Sequence, residues 1–233
     1  MDFPRVKTGV KGLDEMLGGG IPEGDAIAVL GGFGSGKTMF GMQFIHAGLE
    51  MGEKGIFISF EEDEKKLTTI ASNAGWNFES AIDKQMLVLV RLDAADIGRS
   101  LSRAQSELPT LIRSFEAKRV VVDPITLFEM HFRDDEGRRR EISKLCTTIQ
   151  NSGATVVLTS EISSDNPFAS KYGEIEYIAD GVIILRYIRP APLKRSILAV
   201  EIAKMRGVKH SRDVKPYEIT GSGITVDFDA DLF

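Results

Sequence analysis

The run Gly31-Gly32-Phe33-Gly34-Ser35-Gly36-Lys37-Thr38 sets glycines, a lysine and a hydroxyl residue at the spacing G-x-x-x-x-G-K-[ST], a pattern suited to holding phosphate. Glycines let successive backbone N–H groups converge on phosphate oxygens, and a helix starting at the end of the loop adds positive potential. Lys37 is spaced to reach the β and γ phosphates, and the Thr38 hydroxyl to ligate magnesium. A β-like run, Ala26 to Leu30, precedes the loop and a helix-like segment, Met39 to Glu50, follows it. Gly31, Gly32, Phe33, Gly34, Ser35, Gly36, Lys37, Thr38 and Met39 are therefore the expected nucleotide-binding residues.

Such a site needs an acid for the metal, and Arg119-Val120-Val121-Val122-Asp123 is an apolar run that ends in one. With Thr38, Asp123 is the expected magnesium residue, acting from the outer shell. Pro124 follows it and cannot act as a base, so the catalytic carboxylate must come from elsewhere. Glu61-Glu62 stands at the end of the β-like run Gly55 to Phe60, the edge at which parallel sheets hold their ligands. Either residue could orient and deprotonate a water, Glu61 being nearer the strand. The competing reading is that Glu61 to Glu64 is the acidic first turn of a helix.

Short β-rich runs alternate with helical patterns along most of the chain, the signature of βαβ units. Further strands are expected at Met86 to Arg91, Arg119 to Asp123, Ala154 to Ser160 and Val182 to Arg186. Asp63 can cap a helix with Leu67, Ile70, Ala71 and Ala74 on one face, ended by Gly75. Ile142, Leu145, Cys146 and Ile149 repeat that spacing before Gly153, and Pro109 marks a helix start or a kink between Arg99 and Lys118. Beyond Leu185 the pattern becomes strand, turn, strand, at Ser196 to Ile202, Tyr217 to Ile219 and Ile224 to Val226. The expected fold is a three-layer α/β domain with a mostly parallel sheet and antiparallel C-terminal strands, one domain over 1–233.

At 233 residues and 42% hydrophobic content, the chain can bury a sizeable core. A net charge of −5 argues against a generally basic coat for nucleic acid or membrane. Cys146 is the single cysteine, the opening residues lack the apolar stretch of a secretory leader, and no apolar run approaches a membrane span. A cytoplasmic, reduced setting without membrane association is expected.

With these residues in hand, nearly the whole chain resembles the RecA-superfamily ATPases of the KaiC-like type, whose single-domain versions are archaeal RadA paralogues. The resemblance runs from Thr8-Gly9-Val10-Lys11-Gly12-Leu13-Asp14 and Gly18-Gly19-Gly20-Ile21-Pro22-Glu23-Gly24, through the phosphate loop, Ser59-Phe60-Glu61-Glu62 and Val121-Val122-Asp123, to Lys204-Met205-Arg206-Gly207-Val208-Lys209-His210. It implies a RecA-like fold, Mg2+ and ATP as ligands, ATP hydrolysis, and a homo-oligomeric ring, usually hexameric, with nucleotide between subunits. The absence of an N-K-x-D guanine motif agrees with adenine. Matched residue by residue, Glu61 and Glu62 are the catalytic pair, while Lys204 and Arg206 reach the neighbour's γ-phosphate in trans. Where autophosphorylating members carry a Ser-Thr pair, this chain has Glu176 and Tyr177, so autokinase activity is not expected there. Thr159-Ser160-Glu161 offers only weak candidates for a γ-phosphate sensor.

The segments after Asp123 and Ser160 contain Arg133, Arg138, Arg139, Arg140 and Lys171, largely balanced by acids, and the aromatics Phe128, Phe132, Phe168 and Tyr172. Weak binding of single-stranded DNA is one expectation, with a role in DNA recombination or repair. The alternatives are a regulatory ring acting on an unidentified protein partner, or a nucleotide switch with little turnover. His46 and His131 lack partners at metal-ligand spacing, and Trp76 is expected to be a packing residue.

Overall fold

The computed structural model describes residues 4–92, 107–189, 196–230 and 232. The N-terminal segment pairs β1 (Arg5–Val6) with β2 (Ile21–Pro22) around α1 (Leu13–Met16). The main sheet contains β3 (Ala26–Gly31), β4 (Lys54–Ser59), β5 (Leu87–Arg91), β6 (Ala117–Asp123), β7 (Thr155–Glu161), β8 (Gly181–Ile188), β9 (Ile197–Met205), β10 (Lys215–Thr220) and β11 (Gly223–Val226). Its spatial order is β11-β10-β9-β8-β3-β7-β6-β4-β5. From β5 to β8 the strands are parallel, and β9, β10 and β11 extend the sheet antiparallel, as expected from the sequence.

Alternation along the central strands explains the three layers, because successive side chains leave opposite faces of a sheet. Ile27 and Val29 of β3 share a core with Phe40 and Phe44 of α2 (Lys37–Glu50) and Leu67 of α3 (Glu64–Asn73). Phe78, at the start of α4 (Phe78–Asp83), belongs to the same core. Ala28 and Leu30 face the other core, with Ile112 of α5, described over 107–115, Ile125 of α6 (Ile125–Glu129) and Ile142 of α7 (Asp135–Gln150). A last short helix, α8 (Ile175–Ile178), precedes β8. No helix among the described residues is long and apolar enough to cross a membrane.

Local signals place the helices. Asp63 Oδ1 accepts the Lys66 N–H at 2.8 Å and caps α3, and Gly75, at φ +79°, closes that helix as expected. Pro109, expected to mark a helix start or a kink, lies within the helical residues 107–115 of α5; the part of that stretch before residue 107 lies outside the described residues. α2 starts at Lys37 rather than Met39, because Gly36 at φ +90° turns the loop directly into the helix.

The N-terminal motif, whose shape was not legible in the sequence, is a clamp. The Thr8 N–H and hydroxyl both donate to Asp14 Oδ1 at 2.8 Å. Gly12 sits at φ +82°, where an added Cβ would lie 2.2 Å from the Val226 carbonyl oxygen, so this turn docks against β11. Gln43 of α2 joins the same parts, donating to the Gly9 and Ile224 carbonyls and accepting from the Ile224 N–H. Trp76 is buried in the first core and stacks on His46.

Glu129, at the end of α6, is fully buried, and neither carboxylate oxygen meets a hydrogen-bond partner among the described residues. Burial pushes its pKa up to about 8, with Arg138 opposing the shift and Glu176 and Glu174 adding to it. An unfolded chain releases this proton near pH 4.5, whereas the folded chain keeps it to about pH 8. Between those values the folded state binds the extra proton, so stability falls as pH rises, by ~1.4 kcal/mol per unit from this group alone. Glu129→Gln removes the titration and is expected to raise the melting temperature at pH 8 but not near pH 4.5. Denaturation curves of both proteins across that range check this; parallel pH dependences would contradict it.

Candidate nucleotide site

The phosphate loop leaves the C-terminal end of β3, at the edge where β4, β6 and β7 also end. The Ser35 hydroxyl donates to the Gly32 carbonyl at 2.9 Å, and the Tyr217 hydroxyl donates to the Ser35 carbonyl at 2.6 Å, tying the loop to β10. Lys37 Nζ donates to the Gly31 and Gly32 carbonyls at 2.9 and 3.0 Å, so its ammonium sits at the loop's inner edge. Burial lowers the Lys37 pKa, against the pull of Asp123, Glu161 and Glu61. Phe33 projects from the loop into solvent, and Met39, partly buried, packs against the first core.

Asp123 closes β6 and is only 2% exposed. Its Oδ2 accepts the Thr38 hydroxyl at 2.9 Å, and its Oδ1 accepts the Thr159 hydroxyl of β7 in a short contact. Burial raises its pKa, with Thr159, Thr38 and Lys37 opposing. A desolvated carboxylate joined to the hydroxyl expected to ligate magnesium suits a cation held mainly by phosphate oxygens and water. No group of three or more His, Cys, Asp or Glu side chains able to hold a metal by itself occurs among the described residues.

Glu61 and Glu62 follow β4, and the Ser59 hydroxyl accepts both of their N–H groups, at 3.3 and 2.8 Å. Partial desolvation raises the Glu61 pKa, reinforced by Asp123, Glu161 and Glu62 and opposed by Lys37. The loop, Asp123 and the glutamates thus share one electrostatic site. Thr159 and Glu161 belong to it as well. Sequence reasoning gave them only a weak sensor role, since a hydroxyl inside an apolar strand carries no spacing signal.

Lys204 and Arg206 are not brought to this site within one chain. Met205 pairs with Gly181 at the start of β8, so the segment lies at the opposite edge of the sheet. β3 runs from that edge to the loop in five steps at ~3.3 Å, roughly 17 Å. There Lys204 Nζ donates to the Glu176 and Ala179 carbonyls at 2.9 and 2.6 Å. Arg206 donates to the Tyr177 carbonyl at 2.8 Å and pairs with Asp180 at 3.2 Å. Burial and the Arg206 charge lower the Lys204 pKa.

Of the cations expected from the sequence to face a polyanion, Arg138 is withdrawn. It pairs with Asp135, donates to the Phe132 and Glu129 carbonyls, and stacks on Tyr172 at 4.1 Å. Arg139 and Arg140 are exposed, and lie within 3.7 Å of Glu174 and 3.3 Å of Glu141 respectively. Phe128 is core, Phe132 packs against it, and Phe168 is exposed beside Arg186.

Comparison with known proteins places nearly the whole described fold in one family. The family model described as "ATPase: KaiC" matches residues 6–231. The UPF0273 protein MK0039 of Methanopyrus kandleri is 36% identical over 97% of this chain and 93% of its own length. The circadian clock oscillator protein KaiC of Parathermosynechococcus lividus is 32% identical over 96% of this chain but only 42% of its own length, so the chain spans under half of that relative. The crystal structure of the KaiC-like protein PH0186 from Pyrococcus horikoshii superposes with a TM-score of 0.85 at 33% identity, covering 97% of this chain and 99% of that one. The chain therefore belongs to the KaiC-like ATPases of the RecA superfamily.

Proposed function

We propose that this chain binds Mg-ATP at the phosphate loop and hydrolyses it at a site shared between copies arranged head to tail. The single observation that carries the reading is the separation of the parts. The loop, Asp123 and Glu61 lie at one edge of the sheet, while Lys204 and Arg206 lie about one strand length away at the other. Two cations that never meet their own loop can serve a neighbour's, and repetition of that contact generates a ring. The family resemblance makes six the expected number of subunits.

In this reading the loop N–H groups and Lys37 hold the β and γ phosphates, Lys37 exchanging its contacts with the Gly31 and Gly32 carbonyls for phosphate oxygens. Thr38 and Asp123 would hold magnesium, which supplies neutralisation of phosphate charge. Glu61, with Glu62 beside it, orients a water and accepts its proton as the water oxygen bonds to the γ-phosphorus and the bridging oxygen leaves with ADP. A raised pKa moves the Glu61 carboxylate toward the range in which a base works at neutral pH. Lys204 and Arg206 from the neighbour stabilise the charge on the transferring group.

A role in DNA recombination or repair draws on the exposed Arg133, Arg139 and Arg140. Arg138 is spent inside the protein, and Arg139 and Arg140 each have a carboxylate beside them. That pattern favours a ring acting on a protein partner over one that tracks a nucleic-acid backbone. ATP turnover at 0.15 M salt is accordingly expected to be unchanged by single-stranded DNA, and several-fold stimulation would restore the DNA role.

The divided site has a direct genetic test. Arg206→Ala is expected to bind ATP almost normally and to lose turnover by roughly a thousandfold. Glu61→Gln should likewise bind, and should slow by roughly a hundredfold or more. Mixing the two variants creates interfaces that carry both intact groups, so turnover should recover. No recovery despite co-assembly, shown by native mass spectrometry, would contradict the proposal.

A further inference from the structure

Among the described residues, the two most exposed large apolar side chains are Phe33, 95% exposed, and Tyr177, 65% exposed. They stand at opposite edges of the sheet. Phe33 is in the phosphate loop, at a position where the motif needs only a backbone N–H, so phosphate chemistry does not account for a bare phenyl ring there. Tyr177 is in α8, where its carbonyl accepts from Arg206 and the neighbouring Glu176 carbonyl accepts from Lys204. Each ring thus marks one half of the divided site.

The surroundings of the two rings differ in the sign that prevails. Phe33 shares its edge with four acids, Glu61, Glu62, Asp123 and Glu161, which follow or close β4, β6 and β7, against Lys37 of the loop and Lys171, which pairs with Glu161 at 2.9 Å. Around Tyr177 stand Arg206, Lys204 and Arg139, whose guanidinium lies 6.0 Å from the ring centre. Asp180 and Glu174 answer part of that positive charge within the chain.

We infer that Phe33 of one copy packs against Tyr177 of the next, forming an aromatic contact that sets the distance between Arg206 and the neighbour's phosphate loop. The inference rests on the divided-site reading and adds the contact surface to it. Aromatic pairs prefer defined centroid separations of about 4.5–7 Å, so this contact fixes position as well as affinity. A second copy is the committed occupant of both surfaces, because head-to-tail packing that carries Arg206 to a phosphate loop brings the segment holding Arg206 to the segment holding Phe33.

Chains carrying the photoreactive residue p-benzoylphenylalanine in place of Phe33 can be mixed with isotopically heavy wild-type chains, assembled with Mg-ADP, irradiated and digested. The expected product joins residue 33 of a light chain to the peptide containing Tyr177 of a heavy one. Tyr177→Ala should raise the concentration for half-assembly by roughly 10-fold, while Tyr177→Phe leaves it unchanged. Cross-links that map elsewhere, links only within one chain, absence of assembly, or equal assembly of all three Tyr177 forms would each overturn the contact. If the contact fails while Glu61→Gln and Arg206→Ala still complement each other, the divided site stands without it; if complementation fails as well, both fall.

Discussion

A carboxylate that is almost wholly out of water must find partners for its oxygens, and Asp123 finds them on two neighbouring elements, α2 and β7. Thr38, in the first turn of α2, satisfies one oxygen, and Thr159, near the end of β7, satisfies the other. The phosphate loop is thereby fixed between β3, from which it emerges, and the end of β6. The Phe60 N–H donates to the Asp123 carbonyl, so the strand that leads into Glu61 and Glu62 is registered on the same residue. The loop, Thr38 and the two glutamates keep their relation to one another because they share this anchor.

The sheet imposes a second constraint. A parallel sheet carries its binding loops at one edge, and a chain that adds antiparallel strands returns to the other. β9 runs antiparallel to β8 and ends with Met205 against Gly181, which fixes Lys204 and Arg206 behind the sheet as seen from the loop. Their heads are held by carbonyls around α8, and a side chain cannot reach across a strand length. Topology therefore keeps this cation pair away from the chain's own phosphate loop, which is why we propose that it serves the loop of a neighbouring copy.

The phosphate loop was legible in the sequence because it is contiguous and its glycine spacing has few other uses. Asp123 was legible because an apolar run ended in a charge. The layers followed from β-rich runs alternating with helical patterns, with strand ends displaced by at most three residues. β1 and β2 were not legible, since two residues carry no period, and Thr159 was hidden because a threonine within Thr155–Glu161 reads as a strand former. Arg138 looked like its neighbours Arg139 and Arg140, and it is separated from them by its burial, its bonds to Asp135, Phe132 and Glu129, and the packing of Tyr172 over its guanidinium. The roles of Lys204 and Arg206 came from family resemblance alone. Two residues apart at a strand end, they match any solvated surface, and their meaning depends on which edge of the sheet they occupy.

We propose that one chain holds only part of its own catalytic site. Turnover per chain, measured as wild-type protein is diluted through the concentration at which sedimentation shows the assembly coming apart, tests it most directly. A divided site predicts that specific activity falls with the assembled fraction and approaches zero for the monomer. Constant activity per chain down to concentrations at which only monomer remains would contradict it.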